Sequence, residues 1–176
     1  MSDTMILETD KGPVVFRPER PEDEELLYVL FRSWALPDLA LMPVDDATKE
    51  ALVLMQFRAQ MASYRAQFPQ ARFDIVEQDG VPIGRYVIDP GSDTEPVCFV
   101  DFVLLPERRN SGLGRAITAA LLERYEREGR PVRLKVLHHN VPSQRMCAAL
   151  GFVQIEAVPP FLQLEWRPSS LRQPSP

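Results

Sequence analysis

The sequence contains little cysteine and little histidine, with two of each in 176 residues. Cys98 and Cys147 lie far apart and outside any C-x-x-C spacing, which argues against a disulfide framework and a cysteine-rich zinc site. No apolar run approaches the roughly 18 residues of a membrane-spanning helix, and the N-terminus lacks the basic start and apolar stretch of a secretory signal. We therefore expect a soluble, cytoplasmic protein that holds no metal and has no membrane partner.

Charge of one sign is not concentrated anywhere in the chain. The 25 acidic and 20 basic residues give a formal net charge of -5, and they are interspersed, without a block that resembles a nucleic-acid arm. Nucleic acid is therefore not expected as a partner. Glycine is also scarce, with 8 residues, whereas 45% of the chain is hydrophobic, which is enough to bury the core of one ordinary domain.

The pattern of apolar residues changes its period along the chain and predicts a mixed α/β fold. A short strand from Val14 precedes two helices, which are separated by a loop over 36–43 that contains two prolines. The Asp79-Gly80 pair predicts the turn of a hairpin. A nearly continuous apolar run over 97–105 then predicts a buried strand, directly followed by a helix from about Gly112. The last predicted elements are a strand from Val132, a short helix from Pro142, and strands over 152–158 and 161–166.

No internal repeat and no linker divides the chain, so we expect a single domain over 14–166. Residues 1–13 are interpreted as an N-terminal extension. Residues 167–176 are interpreted as a flexible tail, because three prolines and three serines occur among these ten residues.

The most informative segment is 108–115, with the sequence R-R-N-S-G-L-G-R, between the buried strand and the helix that follows it. The first N–H groups of a helix lack partners, the helix dipole adds partial positive charge, and glycines let a phosphate approach the main chain. Arg108, Arg109 and Arg115 add further positive charge. The segment therefore predicts a phosphate site, and the alternative is an ordinary helix start with solvated arginines.

The spacing of the glycines excludes two common nucleotide motifs. No third glycine follows Gly112 and Gly114 at the position of the dinucleotide fold, and no Gly-Lys-Ser/Thr follows as a Walker loop requires. What remains is Arg-x-x-Gly-x-Gly after a strand. This pattern resembles the loop of the GNAT superfamily of acyl-CoA-dependent N-acyltransferases, usually written Q/R-x-x-G-x-G/A, which holds the pyrophosphate of coenzyme A in that family.

The resemblance continues further along the chain, where the family often has Asn, a short helix containing Tyr, and Gly-Phe. Here Asn140 and Gly151-Phe152 match, whereas the Tyr position is occupied by Cys147. The order of elements also agrees, so the resemblance covers roughly residues 14–166. It implies an α/β (α+β) fold with a mostly antiparallel central sheet of about seven strands, flanked by about four helices and splayed at the acyl-CoA site.

The resemblance implies acetyl-CoA as the co-substrate and indicates which residues would bind it. The backbone of Phe102 and Leu104 is expected to pair with the pantetheine arm as an added strand would. Asn140 matches a position that commonly contacts the same arm. The loop residues expected to bind the cofactor are Arg109, Asn110, Ser111, Gly112, Leu113, Gly114 and Arg115.

Asp101 and Cys147 are the candidates for proton transfer. Asp101 is the one polar residue in its apolar strand, where some family members carry a base or a polar group that faces the acceptor amine. A buried carboxylate needs a partner or a function, so Asp101 either acts on or binds the amine, binds an Arg or a backbone amide of a neighbouring strand, or shapes the pocket. Cys147 either replaces the family's tyrosine as the acid or is a buried apolar filler, which free cysteine often is. His138 and His139 could also accept the amine's proton, but they form no compact metal site.

The sequence therefore predicts an N-acetyltransferase that moves an acetyl group from acetyl-CoA to a primary amine of a small molecule or a protein by direct attack. The acceptor is expected to bind between Trp34 and Phe68, near Arg58, Tyr64 and Arg65. One alternative is a non-catalytic acyl-CoA-binding or regulatory module, and a weaker one is a nucleotide-binding protein that uses the same loop. The acceptor, the acyl chain length and the oligomeric state stay open, with a homodimer among the alternatives.

Overall fold

The computed structural model describes residues 4–171, which form an open sheet flanked by α-helices. The helices are α1 (Glu24–Asp38), α2 (Asp46–Gln67), α3 (Leu113–Glu128) and α4 (Val141–Ala149). The strands are β1 (Met5–Leu7), β2 (Val14–Pro18), β3 (Arg72–Gln78), β4 (Val81–Asp89), β5 (Val97–Leu104), β6 (Val132–Leu137), β7 (Val153–Val158) and β8 (Phe161–Trp166). Their order across the sheet is β1-β2-β3-β4-β5-β6-β8-β7, and every neighbouring pair is antiparallel except β5 and β6.

The predicted fold class is confirmed, but two local expectations differ from the structure. The prediction of a loop over 36–43 is wrong at its start, because α1 continues to Asp38 and includes Pro37 in its last turn. Leu36 and Leu39 pack against the core beneath α1, and this packing keeps the turn helical despite the proline. The N-terminal extension contains β1, a strand that the sequence did not predict and that raises the number of strands to eight.

At the other end of the chain, the expected flexible tail is only partly within the described residues. Ser169–Leu171 form a short 3-10 turn. The remainder of that expectation, over residues 172–176, lies outside the described residues.

The sheet is covered on both faces, and each face has its own hydrophobic core. The larger core lies under α3 and α4 and includes Phe16, Tyr86 and Ile117. The smaller core lies under α1 and α2 and includes Phe57 and Ile75. Because side chains alternate along a strand, the central strands send every second residue to each core. Polar residues in these strands therefore lie in buried surroundings unless the sheet opens.

The sheet does open between β5 and β6. These strands pair only where Val97–Phe99 meets Val132–Leu134, although both continue beyond that point. β5 also carries a bulge against β4, because Asp101 lies opposite Val87 while Phe99 lies opposite Ile88. A bulge bends its strand and re-aims the neighbouring side chains. The second half of β5 therefore diverges from β6 and leaves a gap that leads toward α3.

The strand register also fixes what lies at each end of the sheet. The end of β5 is level with the β3–β4 turn and with the start of β2, so the loop over 8–13 lies at the same end as the start of α3. The end of β2 and the residues that follow it lie at the opposite end. Among the described residues, no helix combines the length and the apolar character that crossing a membrane requires.

Candidate active site

The loop between β5 and α3 has two residues in the left-handed backbone region. Asn110 has φ 57° and Gly112 has φ 82°. L side chains rarely adopt this conformation, and glycine adopts it without steric cost. Ser111 holds the turn from within, since its hydroxyl donates a 2.9 Å hydrogen bond to the carbonyl of Arg108. The loop thus reaches the first residue of α3 in a tight, exposed curve.

Several main-chain donors of this loop are free. Within residues 4–171, the backbone N–H groups of Asn110, Ser111, Gly112, Gly114 and Arg115 make no hydrogen bond. They cluster at the positive end of the α3 dipole, a combination that binds phosphate groups. The predicted phosphate loop therefore has the donors that an anion requires, at the point where the gap between β5 and β6 reaches α3.

The Arg109 side chain contacts protein groups in this structure. Its Nε donates a 2.8 Å hydrogen bond to the Leu104 carbonyl at the end of β5, and its Nη2 donates to the Ser33 hydroxyl on α1. The half-buried guanidinium thus ties the phosphate loop to both elements. A direct contact of Arg109 with the cofactor stays a prediction.

The edge of β5 that faces the gap presents backbone groups. The N–H of Leu105 donates to Ile83 on β4, so by strand alternation Phe102 and Leu104 direct their backbone groups to the gap. The Leu104 carbonyl is already occupied by Arg109. A Cβ at Gly114 would be 3.5 Å from Phe102 Cε1, so α3 starts in close contact with this strand.

Asp101 lies at the β5 bulge, on the sheet face that α1 and α2 cover, and its side chain is 23% exposed. Its Oδ2 is 3.3 Å from Nη1 of Arg85. Nε of Arg85 donates a shorter bond of 2.6 Å to Glu19, which also accepts a 2.7 Å bond from Arg65. Burial raises the pKa of Asp101, although the nearby Arg85 guanidinium opposes that rise. The four charged side chains form one connected cluster.

Aromatic rings enclose this cluster. Cζ of Arg85 lies 5.7 Å from the centre of the Phe73 ring and 5.9 Å from that of Tyr64. Its Nη2 is buried and has no hydrogen-bond partner among residues 4–171. Burial, and secondarily the Asp101 carboxylate, raise the pKa of Tyr64 to about 12, so its phenol stays neutral.

The structure brings Tyr64 and Arg65, which the sequence placed near the acceptor, into the same cluster as Asp101. Sequence reasoning missed Glu19 and Arg85. The isolated charge of Arg85 within the otherwise apolar end of its hairpin strand is a signal that could have identified it.

A groove of about 440 Å³ adjoins the cluster at the end of the sheet opposite the phosphate loop. Its apolar part includes Leu27, Phe57 and Met61, and its polar part includes Glu19 and Arg58. The groove connects to Asp101 through Glu19 and Arg85. The groove and the phosphate loop therefore lie at opposite ends of the sheet, and buried side chains link the groove to the β5 bulge.

The other sequence candidates lie on or near α4. Cys147 is 1% exposed within the larger core, and burial raises its pKa to about 11. Asn140 is exposed, and its side-chain oxygen accepts a 3.2 Å hydrogen bond from the N–H of Ser143, which caps α4. His138 and His139 are exposed in the turn after β6. Over residues 4–171, no group of three or more His, Cys, Asp or Glu side chains is placed to hold a metal ion.

Comparison with known proteins gives one family and many similar folds. The model of the acetyltransferase (GNAT) family matches residues 39–152. The PaiA N-acetyltransferase of Thermoplasma acidophilum, solved with coenzyme A, is 17% identical, with a TM-score of 0.64 over 88% of this chain and 98% of that chain. RimJ of Mycobacterium smegmatis, solved with CoA-disulfide, is 18% identical, with a TM-score of 0.64 over 98% of this chain and 90% of that chain.

An acetyltransferase of Thermus thermophilus is 20% identical, with a TM-score of 0.60 over 93% of this chain and 99% of that chain. At these identities the likeness shows the fold alone. No curated protein matches the chain.

Proposed function

Because the chain belongs to the acetyltransferase (GNAT) family, we propose that it moves an acetyl group from acetyl-CoA to a primary amine of a small molecule or a protein by direct attack. One observation carries the proposal: the free main-chain donors of the phosphate loop and the partly exposed Asp101 carboxylate are placed by the same strand, β5. The loop follows the end of that strand, and Asp101 lies at its bulge. A cofactor bound by the loop would thus extend along β5 toward a titratable group.

The residues of the loop fit coenzyme A. Five free N–H groups and the left-handed Gly112 leave main-chain donors open to a pyrophosphate. Phe102 and Leu104 direct backbone groups to the gap where a pantetheine arm would lie. Acetyl-CoA supplies the activated thioester, and the chain has to hold it and accept the proton of the amine.

In this proposal, Asp101 is the base that accepts the proton of the amine. The acceptor amine attacks the thioester carbonyl as its free base, so that the C–N bond forms, the C–S bond breaks and one proton leaves the nitrogen. A carboxylate with a raised pKa is better matched to receive that proton than an ordinary one. The departing thiolate then takes a proton from water, and Asp101 returns the proton of the amine to the solvent, which restores the carboxylate.

The ion-pair geometry supports a functional Asp101 over a structural one. Arg85 has its short contact, 2.6 Å, with Glu19, whereas its contact with Asp101 is 3.3 Å. Glu19, which Arg65 shares, therefore supplies the closer balancing charge for the buried guanidinium, and the longer contact leaves the Asp101 carboxylate freer to take up a proton. Arg85 and Glu19 are positioning residues in this proposal, since they orient Asp101 without contact to the reacting atoms.

The acceptor is proposed to enter through the groove beside Glu19. Its apolar lining suits the body of a small molecule or of a peptide side chain, and its arginines suit an acceptor that also carries an acidic group.

A cytoplasmic location belongs to the same proposal and is supported by the free thiols of Cys98 and Cys147.

The proposal is tested by incubating the protein with acetyl-CoA and a broad panel of amines and amine-bearing peptides. We expect thiol release above the background of hydrolysis, together with an acetylated product detected by mass spectrometry. Tight binding of coenzyme A without thiol release for any acceptor would favour the alternative, a non-catalytic acyl-CoA module. The reason for considering this alternative is Cys147, which occupies the family's tyrosine position. Preferential binding of ATP or NAD would contradict both.

Arg109→Ala is expected to lower stability more clearly than cofactor affinity. The change removes two hydrogen bonds that tie the loop to Leu104 and Ser33, at a cost of about 1–2 kcal/mol in the free energy of unfolding. The main-chain donors survive, so the Kd for coenzyme A should rise by only about threefold to tenfold. Denaturant unfolding and calorimetry measure the two effects.

Arg108→Ala is the matched control, because within residues 4–171 the Arg108 guanidinium makes no hydrogen bond or ion pair whose loss would destabilise the fold. A large loss of affinity in Arg109→Ala with unchanged stability would instead place that guanidinium on the phosphates.

Cys147→Ala is expected to leave kcat within about twofold of the wild type, whereas loss of a positioned acid would cost about 10²-fold or more. The thiol is buried in the larger core and holds its proton through a raised pKa. Removing the sulfur should cost about 1 kcal/mol of stability through the small cavity that it leaves. Steady-state kinetics and thermal unfolding check both statements, and a slow variant of unchanged stability would identify Cys147 as the acid.

A further inference from the structure

The loop between β1 and β2 is held in one shape by its own hydrogen bonds. The Thr9 hydroxyl donates a 2.7 Å bond to the Gly12 carbonyl and accepts a 3.0 Å bond from the N–H of Lys11. The Gln78 side chain on β3 donates a 3.0 Å bond to the Lys11 carbonyl. This turn lies at the end of the sheet where α3 begins, so the backbone of Lys11 is fixed beside the phosphate loop.

The Lys11 side chain extends over Gly112. A Cβ on Gly112 would lie 3.4 Å from Cε and 3.9 Å from Nζ of Lys11. The ammonium group therefore stands next to the left-handed glycine of the phosphate loop, close to the main-chain N–H groups that have no partner.

Basic side chains outnumber acidic ones around the loop, where Glu107 is the one acidic residue of segment 106–115. Among residues 4–171, Lys11, Arg108 and Arg115 form no ion pair with an acidic side chain. The chain as a whole has a net charge of -5, so three cations without an ion-pair partner at one loop are not explained by a general excess of basic residues. Cations held next to free N–H donors attract a multiply charged anion.

From these observations, and on the basis of the proposed function, we propose that Lys11 is a ligand of the pyrophosphate of coenzyme A. The N-terminal extension then belongs to the cofactor site and closes it from the β1–β2 side. The assignment to the pyrophosphate follows from the position of Nζ beside Gly112, which lies within the loop that would hold that group.

Isothermal calorimetry with coenzyme A and with 3′-dephospho-coenzyme A tests this assignment. Lys11→Ala should raise the Kd of both ligands by a similar factor of about five to ten, because both carry the pyrophosphate. Lys11→Arg should stay within about threefold of the wild type, since the charge is kept. Lys49→Ala is the matched control, because Lys49 is also a lysine but lies on α2, where its Nζ donates a 3.3 Å hydrogen bond to the Ala40 carbonyl. This variant should leave both Kd values unchanged.

The outcomes separate this inference from the proposed function. If the wild type binds coenzyme A and Lys11→Ala binds both ligands as tightly as the wild type does, the role proposed for Lys11 is wrong while the proposed function stands. An effect on coenzyme A alone would move Lys11 to the 3′-phosphate and overturn the pyrophosphate assignment. If the wild type fails to bind coenzyme A, the proposed function itself is contradicted.

Chemical modification provides a readout that does not depend on affinity. An amine-reactive ester should modify Lys11 and Lys49 in the free protein, since Lys11 is exposed and Lys49 is partly exposed. Saturating coenzyme A should protect Lys11 by about fivefold or more while Lys49 reacts as before, because a phosphate-bound ammonium is shielded from the reagent. Peptide mass spectrometry measures both sites in one sample, and equal reactivity of Lys11 with and without coenzyme A would overturn the proposal.

Discussion

Asp101→Asn is expected to lower kcat by about 100-fold while the Kd for acetyl-CoA changes by no more than about twofold. The amide keeps the shape of the side chain and can still accept from Arg85, but it does not take up the proton of the amine. Asp101 lies at the β5 bulge and not in the phosphate loop, so cofactor binding should be preserved. Stopped-flow or steady-state kinetics, together with calorimetry, give the two numbers.

The pH dependence of kcat/KM in the wild type and in Asp101→Asn tests the role of the carboxyl in a second way. A base must be deprotonated to act, so the kcat/KM of the wild type should fall at acidic pH as Asp101 gains its proton. Burial raises the pKa of this carboxyl above its ordinary value of 3.8, so the fall should occur at a higher pH than for an exposed aspartate. Asp101→Asn should lose the part of this fall that belongs to the carboxyl and keep the part that belongs to protonation of the acceptor amine.

The stability of the variant separates a functional Asp101 from a structural one. A carboxyl whose pKa is raised by folding prefers its neutral form, so its ionisation costs stability as the pH rises from the unfolded-state pKa through the folded-state pKa. Removing the charge should therefore leave the Tm at neutral pH equal or higher.

Asp74→Asn is the matched control, because burial also raises the pKa of Asp74, but its side chain lies on the other face of the sheet. It should retain full activity. An inactive Asp74 variant, or an Asp101 variant that is active at every pH, would contradict the assignment of the base.

Gly112→Val is expected to weaken the binding of coenzyme A by about 100-fold or more. A β-branched side chain is strained at φ 82°, so the loop must move and its N–H groups lose their common direction. The added Cβ itself would make only an ordinary contact with the Lys11 side chain, 3.4 Å from its Cε. Each hydrogen bond to a charged phosphate contributes about 1.5–3 kcal/mol, so losing one or two accounts for the factor. Calorimetry with coenzyme A measures it.

Gly129→Val provides the control for backbone strain. Gly129 has φ 66° at the other end of the same helix, and nothing lies within 4 Å of the position of its Cβ. Both variants should lose comparable stability, but only the change at Gly112 should affect cofactor affinity. Unchanged affinity for coenzyme A in a folded Gly112 variant would place the phosphate site elsewhere. Equal losses of affinity in both variants would assign the effect to general destabilisation.

Local pattern was sufficient to predict most elements of the fold. The helical period over α2 and the apolar run of β5 each arise from residues that are neighbours in the chain, so their signals are present in the sequence. The extra turn of α1 and strand β1 were not predictable in this way. Three residues are too few to display alternation, and a proline within a helix is tolerated only because Leu36 and Leu39 pack against the core.

The sequence by itself determined the family, and it singled out the predicted phosphate loop and Asp101 as candidates, because each rests on a short motif or on one polar residue within an apolar run. Only the tertiary structure decided which groups surround Asp101 and the loop. Glu19 and Arg85 are 66 residues apart, and Lys11 is remote in sequence from Gly112. Such pairs form through strand register and helix placement, and a single sequence with many interspersed charges does not indicate which of them will meet.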